Sequence, residues 1–373
     1  MTEHKSRISL FVPNLQGGGA ERIMVMIANG LAEAGEQVDL VVVNAAGPNR
    51  ELVADGVNVV DLKSSRLLTA IPRYARYLYR RRPRSVMSAL GHANIATVWL
   101  ARLFSPHSRV ILTVHNSMAA SAHAGARGKF LLRLERRALM MADHTVTVSE
   151  GIRKQLVTSL GLDPATVSAI LNPLEVAEIS RKSAGPAHHP WLDEPGPPVI
   201  VGVGRLVPVK DFETLIRAFA LVVDKQPARL VILGEGEESS RLEDLVASLG
   251  LEECVSFPGF VSNVPAYLGK ASVFVLSSRS EGLPGVLLEA LACDTQVVST
   301  DCETGPREIL EDGKWGKLVD VGDHEALAEA IVETLSRDDR IPTKLRAADF
   351  DSAIAVGKYR SLLTAGGGEE HAL

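Results

Sequence analysis

The sequence predicts an α/β protein built from two doubly wound domains. Three observations lead there. Short apolar runs alternate with amphipathic helical patterns through almost the whole chain, the signature of strand–helix–strand units in a parallel sheet. That alternation stops once, in the Pro- and Gly-rich stretch 181–198, and restarts at Val199. The length of 373 residues exceeds what one hydrophobic core usually serves.

In order, strands are expected at Ile8–Val12, Val38–Val43, Val57–Leu62, Ser85–Ala89, Val110–Val114, His144–Val148 and Val167–Leu171, with helices such as Ala20–Ala34 and Lys129–Met141 between them. Residues 181–198, with the pair His188 and His189, read as a solvated linker. Strands then follow at Val199–Val203, Arg229–Leu233, Cys254–Phe257, Val273–Leu276, Gln296–Ser299 and Lys317–Val319, with helices at Phe212–Asp224, Ser239–Leu249 and Glu325–Ser336. A last helix is expected at 352–363, and residues 364–373 read as a disordered tail. The domains are therefore 1–180 and 199–351. Two such domains facing each other would hold a ligand in the cleft at the carboxyl ends of their strands.

Composition narrows the function. Hydrophobic residues make up 46% and charged residues 23%, ordinary for an α/β protein with a large core. No apolar run reaches a membrane-spanning length, and the polar start before a short strand lacks a signal-peptide core; a cytoplasmic location is expected. Cys254, Cys293 and Cys302 lack metal-site spacing and read as reduced thiols. The net charge of -5 divides unevenly: 21 Lys and Arg against 14 Asp and Glu over residues 1–180 (+7), and 19 against 31 over the rest (-12). A basic half joined to an acidic half implies different partners for different surfaces. Overall acidity and the lack of a recognised module exclude nucleic acid as a partner.

Chemistry concentrates after the strands. Glu281-Gly-Leu-Pro-Gly-Val-Leu-Leu-Glu289 follows an apolar strand and its exit, Ser277-Ser278. Glu281 lies in a Gly/Pro turn, Pro284 suits a first helical turn, and Glu289 lies over one turn further in. The helix start, with the amides of Gly285 and Val286, offers unfilled N–H groups and a positive dipole end. Carboxylates accept from sugar hydroxyls and amides donate to phosphate oxygens, so the motif suits an oxygen-rich ligand. Asn14-Leu-Gln-Gly-Gly-Gly-Ala-Glu-Arg22 lets the backbone approach a ligand, but lacks the dinucleotide fingerprint. Asp349-Phe-Asp351 does not follow an apolar strand; Asp351 reads as a helix cap, and no cluster argues for a metal. Two basic stretches, Arg73–Arg84 and Gly128–Arg137, fit either a solvated helix face packed on the sheet or an anionic membrane surface or lipid diphosphate.

These motifs together resemble the retaining glycosyltransferases of the GT-B fold, in the large family four group, over nearly the whole chain. The glutamates match its E-x7-E motif, Gly18-Gly19-Ala20-Glu21 its GGAE segment, and Gly204-Arg205-Leu206-Val207-Pro208-Val209-Lys210 its GRL-x3-K pattern. The resemblance implies two Rossmann-like domains, with the final helix crossing back to the first. It implies that Glu281 and His115 are catalytic contacts of the donor sugar. Glu289 would hold the ribose. Gly18, Gly19, Arg205, Lys210, Gly285 and Val286 would hold the diphosphate. The loop with Val261 and Ser262 would meet the nucleobase. Asp211, where the family often has Gly, is expected to cap Phe212–Asp224. The implied reaction moves a sugar from a UDP donor, without cofactor or metal, to a glycan or lipid-diphosphate-linked acceptor in bacterial surface polysaccharide synthesis. A nucleotide-sugar epimerase and a noncatalytic nucleotide-sugar-binding subunit stay open as alternatives.

Overall fold

The computed structural model of the chain describes residues 7–16, 19–115 and 126–365. It divides into two units, one comprising the chain to Pro173 together with Ser352 onward, the other Leu174–Asp351.

Unit one holds a sheet of β1 (Ile8–Val12), β2 (Val38–Val42), β3 (Val57–Asp61), β4 (Ser85–Ala89), β5 (Arg109–Val114), β6 (His144–Thr147) and β7 (Val167–Ala169), in the order β3-β2-β1-β4-β5-β6-β7. All its pairings are parallel. Every residue of β1, β2 and β4 is buried, as expected where helices cover both faces. Helix Gly19–Glu33 buries Met24, Ile27, Ala28 and Leu31, a three- and four-residue spacing that lays one stripe on the sheet. The last helix, Ser352–Thr364, belongs to this unit and buries Tyr359 and Leu363 fully in the same core. The Ser85 hydroxyl donates to Leu363 O at 2.6 Å, and Arg360 reaches Glu36 at 2.8 Å. The one carboxylate buried in β2 is fully served: Asp39 accepts from Arg7 (2.6 Å), Asn58 (2.6 Å) and the Tyr77 hydroxyl (2.8 Å). Burial and that carboxylate's charge raise the Tyr77 phenol well above its ordinary range, so it stays a donor.

Unit two repeats the scheme with β8 (Val199–Val203), β9 (Arg229–Leu233), β10 (Val255–Gly259), β11 (Val273–Leu276), β12 (Gln296–Thr300) and β13 (Lys317–Val319), ordered β10-β9-β8-β11-β12-β13. Its core joins Ile200, Leu230, Ile232 and Val273 to Leu215, Phe219 and Val222 of helix Phe212–Val223 and Leu327 and Ile331 of helix His324–Leu335. Each such side chain contributes about 1.5–3 kcal/mol on burial. The strand order reverses between β1 and β4 in unit one and between β8 and β11 in unit two. Those reversals are where open α/β sheets bind ligands, outside the carboxyl ends of the strands.

Two expectations need correction. The first unit ends at Pro173, not at residue 180, and 181–198 is no linker. Helix Val176–Ser183 and the short helix Pro190–Asp193 belong to unit two. His189 is buried, accepts from Trp191 N through Nδ1, and meets the Ser256 hydroxyl through Nε2 at 3.1 Å, while Lys270 pairs with Asp193. His189 is thus a helix cap tied to β10 rather than half of a solvated pair. Pro190 starts a helix, a position where its missing N–H costs nothing. The stretch Arg73–Arg84 packs on the sheet, one of the two readings open for it: on helix Leu67–Arg81, Tyr74 and Tyr77 are buried and Tyr74 stacks on Phe11 at 4.2 Å. Tyr79, Arg73, Arg76 and Arg80–Arg82 face outward from that stretch, while Arg84 is half-buried. Thr364 lies within the last helix; the rest of the expected tail, from residue 366, lies outside the described residues.

Candidate active site

In unit two the site grows from the exits of β8 and β11. After β8 the chain runs through Arg205 to a 3-10 turn at Pro208–Lys210, then to Asp211 and helix Phe212–Val223. After β11 it runs through Ser277 and Ser278 to Glu281, Pro284 and helix Gly285–Ala292. Polar contacts tie these two loops together. The Ser277 hydroxyl donates to Lys210 O at 2.9 Å, and Arg279 N donates to Val209 O at 2.9 Å. Arg279 also pairs with Asp211 at 3.0 Å.

Asp211 stands where a helix cap was expected, but its side chain caps no amide. Its backbone is left-handed, with φ of 48°, which costs a non-Gly residue roughly 1–2 kcal/mol. That twist turns the buried carboxylate onto the Thr214 hydroxyl (2.8 Å) and Arg279. Asp211 therefore fastens one motif loop to the other. Pro284, expected inside the first turn, is the N-cap residue instead.

The loops bring the motif residues together. Lys210 Nζ reaches Glu281 Oε1 at 2.5 Å, and the Ser278 hydroxyl donates to the same oxygen at 2.6 Å. The Thr304 hydroxyl donates to the Glu281 carbonyl. Both charges of the pair are mostly covered, with the Lys210 and Glu281 side chains 20% and 11% exposed. Removing one partner alone would strand the other in a poorly solvated place. Arg205 is exposed, and among the described residues no carboxylate engages its guanidinium. At the start of helix Gly285–Ala292 the amides of Gly285 and Val286 have no helical acceptor. Glu289 is half-buried one turn on. Gly305 (φ 96°) allows the loop after β12 to close on this turn, because a Cβ there would lie 2.7 Å from Pro284 Cδ and 2.9 Å from Gly282 O.

Beside Arg205 lies a cavity of about 390 Å³, lined by Gly204, Arg205, Leu233, Gly234, Glu235, Phe260 and Val261 among others. Of the two residues expected at the base loop, Val261 lines it and Ser262 does not. The Phe260 ring is 75% exposed at the rim. Gly234 (φ 134°) sits so close to Gly204 that a Cβ would meet Gly204 O at 2.0 Å, so only Gly permits this wall.

Unit one carries the other predicted residues. His115 follows β5, and its Nε2 lies 3.0 Å from the Thr113 hydroxyl. That hydroxyl gives its one hydrogen to Ser88 O at 3.0 Å, so His115 Nε2 must be the donor and Nδ1 the acceptor. Burial pushes its pKa down to about 4, and the ring is neutral at pH 7. Gly19 opens helix Gly19–Glu33 with nothing within 4 Å of where a Cβ would stand; Gly18 lies outside the described residues.

Sequence reasoning missed Ser278, Thr304, Arg279 and Gly305. Ser278, at a strand exit three residues before Glu281, carried a local signal; the other contacts depend on the fold. Cys302, in the same neighbourhood, has its thiol pushed up to about 12, first by burial and then by the Glu281 charge, which makes it a poor nucleophile. Among the described residues no group of three or more His, Cys, Asp or Glu is placed to hold a metal ion.

The chain is similar to known proteins over most of its length. Residues 18–173 match the Glycosyl transferase 4-like domain and residues 187–348 match Glycosyl transferases group 1. A Campylobacter jejuni N-acetylgalactosamine-N,N'-diacetylbacillosaminyl-diphospho-undecaprenol 4-alpha-N-acetylgalactosaminyltransferase is 31% identical over 68% of this chain and 68% of its own. The lipopolysaccharide core biosynthesis glycosyltransferase LpsE of Rhizobium meliloti is 29% identical over 92% of each. In fold, the chain is similar to Anabaena HepE in complex with UDP, with a TM-score of 0.78 at 18% identity over 96% of this chain and 99% of that one. The chain belongs to the glycosyl transferases group 1 family and is a glycosyltransferase of the GT-B fold.

Proposed function

We propose that this chain is a retaining glycosyltransferase. It moves a sugar from a UDP donor to a hydroxyl of a glycan or lipid-linked glycan in the synthesis of bacterial surface polysaccharide. The observation that carries the reading is the meeting of Lys210 and Glu281 at 2.5 Å at the reversal of the unit-two sheet. The acceptor class follows the relatives, whose names include a diphospho-undecaprenol-linked acceptor and the lipopolysaccharide core.

In this reading Arg205, Lys210 and the amides of Gly285 and Val286 hold the donor diphosphate. Glu289 takes the ribose, and the base enters the cavity beside Val261. Glu281 holds the donor sugar. The bond from the anomeric carbon to the diphosphate oxygen breaks while the acceptor oxygen bonds to the same face. The acceptor hydroxyl proton passes to the departing diphosphate oxygen. Charge grows on that diphosphate, and fixed cations and amide dipoles stabilise it without reorganising. No residue acts as a covalent nucleophile, and the cations make a metal unnecessary.

We also propose peripheral attachment of unit one to an anionic membrane. Helices Leu67–Arg81, Gly91–Phe104 and Ala126–Met141 pack side by side. They expose Leu68, Tyr79, Trp99, Leu103, Phe130 and Met140 together with Arg80, Arg81, Arg136 and Arg137. No helix of the described residues is long and apolar enough to cross a membrane.

The test is a panel of UDP-sugars, with UDP release measured with and without lipid-linked and soluble glycan acceptors, and product anomeric configuration read by NMR. Acceptor-dependent release with the donor's configuration kept is expected. Donor isomerisation without acceptor, or binding without turnover, would overturn the proposal in favour of an epimerase or a binding subunit.

A further inference from the structure

A second cationic cavity lies in unit one, of about 460 Å³, lined by Arg84, Arg102, His107, Ser108, Arg109 and Asp143 among others. Arg84 immediately precedes β4, Arg109 opens β5, and Asp143 immediately precedes β6. These strands are parallel, so the three residues share the amino edge of the sheet. His115 and Gly19 belong to the carboxyl edge. At about 3.3 Å per residue, Arg109 and His115 are on the order of 20 Å apart. The cavity is therefore separate from the strand-exit residues of this unit.

Its charges are not balanced. Asp143 is committed: one carboxylate oxygen takes Arg102 at 2.8 Å and the other takes Val110 N at 2.7 Å. Arg102 spends the same nitrogen on Met141 O at 2.7 Å. Among the described residues Arg109 meets only a neutral acceptor, Ala365 O at 3.2 Å. Arg84 Nε is buried with no acceptor among the described residues. An orphaned buried donor costs about 1–3 kcal/mol and calls for an explanation such as a bound ion. Among the described residues, then, two guanidinium groups without a carboxylate partner line one cavity. The backbone fixes their spacing, because Arg109 N donates to Arg84 O at 2.9 Å and Arg84 N to Arg7 O at 2.9 Å.

We propose that this cavity binds a phosphate-bearing anion, with Arg84 and Arg109 as its ligands. Planar guanidinium groups match phosphate oxygens in pairs, and the Arg84–Arg109 backbone link presents two of them together. The phosphate can belong to a lipid headgroup or to a free phosphate or diphosphate.

The experiment is calorimetry of the full chain with inorganic pyrophosphate at low salt, and flotation with phosphatidylglycerol vesicles. Wild type, Arg84→Gln, Arg109→Gln and Lys210→Met are compared. Arg109→Gln, at a half-buried position, keeps the test decisive if Arg84→Gln fails to fold. For a soluble anion, one pyrophosphate-binding event is expected to weaken at least tenfold in Arg109→Gln and to persist in Lys210→Met, whatever pyrophosphate binds at the Lys210 loop itself. Loss of vesicle binding in Arg109→Gln, with no pyrophosphate binding by wild type, supports the site and assigns it to a lipid phosphate. Binding that is lost in Lys210→Met and kept in Arg109→Gln overturns the proposal. So does wild type that binds neither probe, or vesicle binding that Arg109→Gln leaves unchanged while pyrophosphate does not bind.

Discussion

Lys210 Nζ lies 2.5 Å from Glu281 Oε1 although 71 residues separate them. The cation proposed for the diphosphate is thus held in place by the carboxylate proposed for the sugar. Replacing Arg205 or Lys210 with Ala should lower kcat/KM by roughly 10²-fold or more, the scale of losing one oriented transition-state donor. The Lys210→Ala and Glu281→Ala losses should not add in the double variant, since contacting groups are coupled. Initial rates of UDP release decide both points; near-normal kcat/KM in both single cation variants removes the diphosphate assignment.

The two glutamates should separate by readout. Glu281→Ala should impair transfer more than it weakens UDP, whereas Glu289→Ala should weaken UDP itself. Calorimetry with UDP would contradict this if Glu281→Ala lost binding while Glu289→Ala kept it.

Activity should survive EDTA, because Arg205, Lys210 and the helix amides already meet the diphosphate charge. Complete loss that Mg²⁺ or Mn²⁺ restores would sink the metal-free mechanism.

His115 should make stability depend on pH. Its folded pKa, held at about 4 by burial, lies below the ordinary 6.5. Between those values the unfolded chain binds the extra proton, so stability rises as pH climbs from 4 to 6.5 and is lost as pH falls through that window. The contribution is at most about 3 kcal/mol. His115→Gln should flatten this part of the curve of Tm against pH; an unchanged slope would mean that the ring titrates normally.

Neutralising Arg80, Arg81 and Arg82 together should weaken binding to anionic vesicles at low salt and leave UDP affinity unchanged. Each such residue near the surface contributes about 1 kcal/mol. Wild type that ignores the vesicles and glycosylates only acceptors free in solution would refute membrane attachment.

Much of this molecule was legible in its residues for one physical reason. A parallel strand covered on both faces is a near-continuous apolar run, so Ile8–Val12, Val199–Val203 and Val273–Leu276 stand out with their true ends. The motif loops then follow, because they begin where those runs stop. What stayed hidden depends on distant partners. His189 looks like linker until Ser256, 67 residues away, faces it, and Asp211 looks like a cap until Arg279 arrives. Thr304 is one hydroxyl among many until the fold sets it on the Glu281 carbonyl. Tyr74 and Tyr77 are a different case: with Ala70 and Leu78 they fall on one helical stripe, and periodicity alone separates them from the exposed arginines.

The helix Ser352–Thr364 belongs to the unit whose remaining part ends at Pro173. A ribosome adding about 5–20 residues each second needs roughly 10–40 s to travel between those points. For that interval the first sheet has emerged but lacks the cover that Tyr359 and Leu363 supply. The second unit, continuous in sequence, can finish before the first. The half made first is completed last, and until then its uncovered apolar face is open to aggregation.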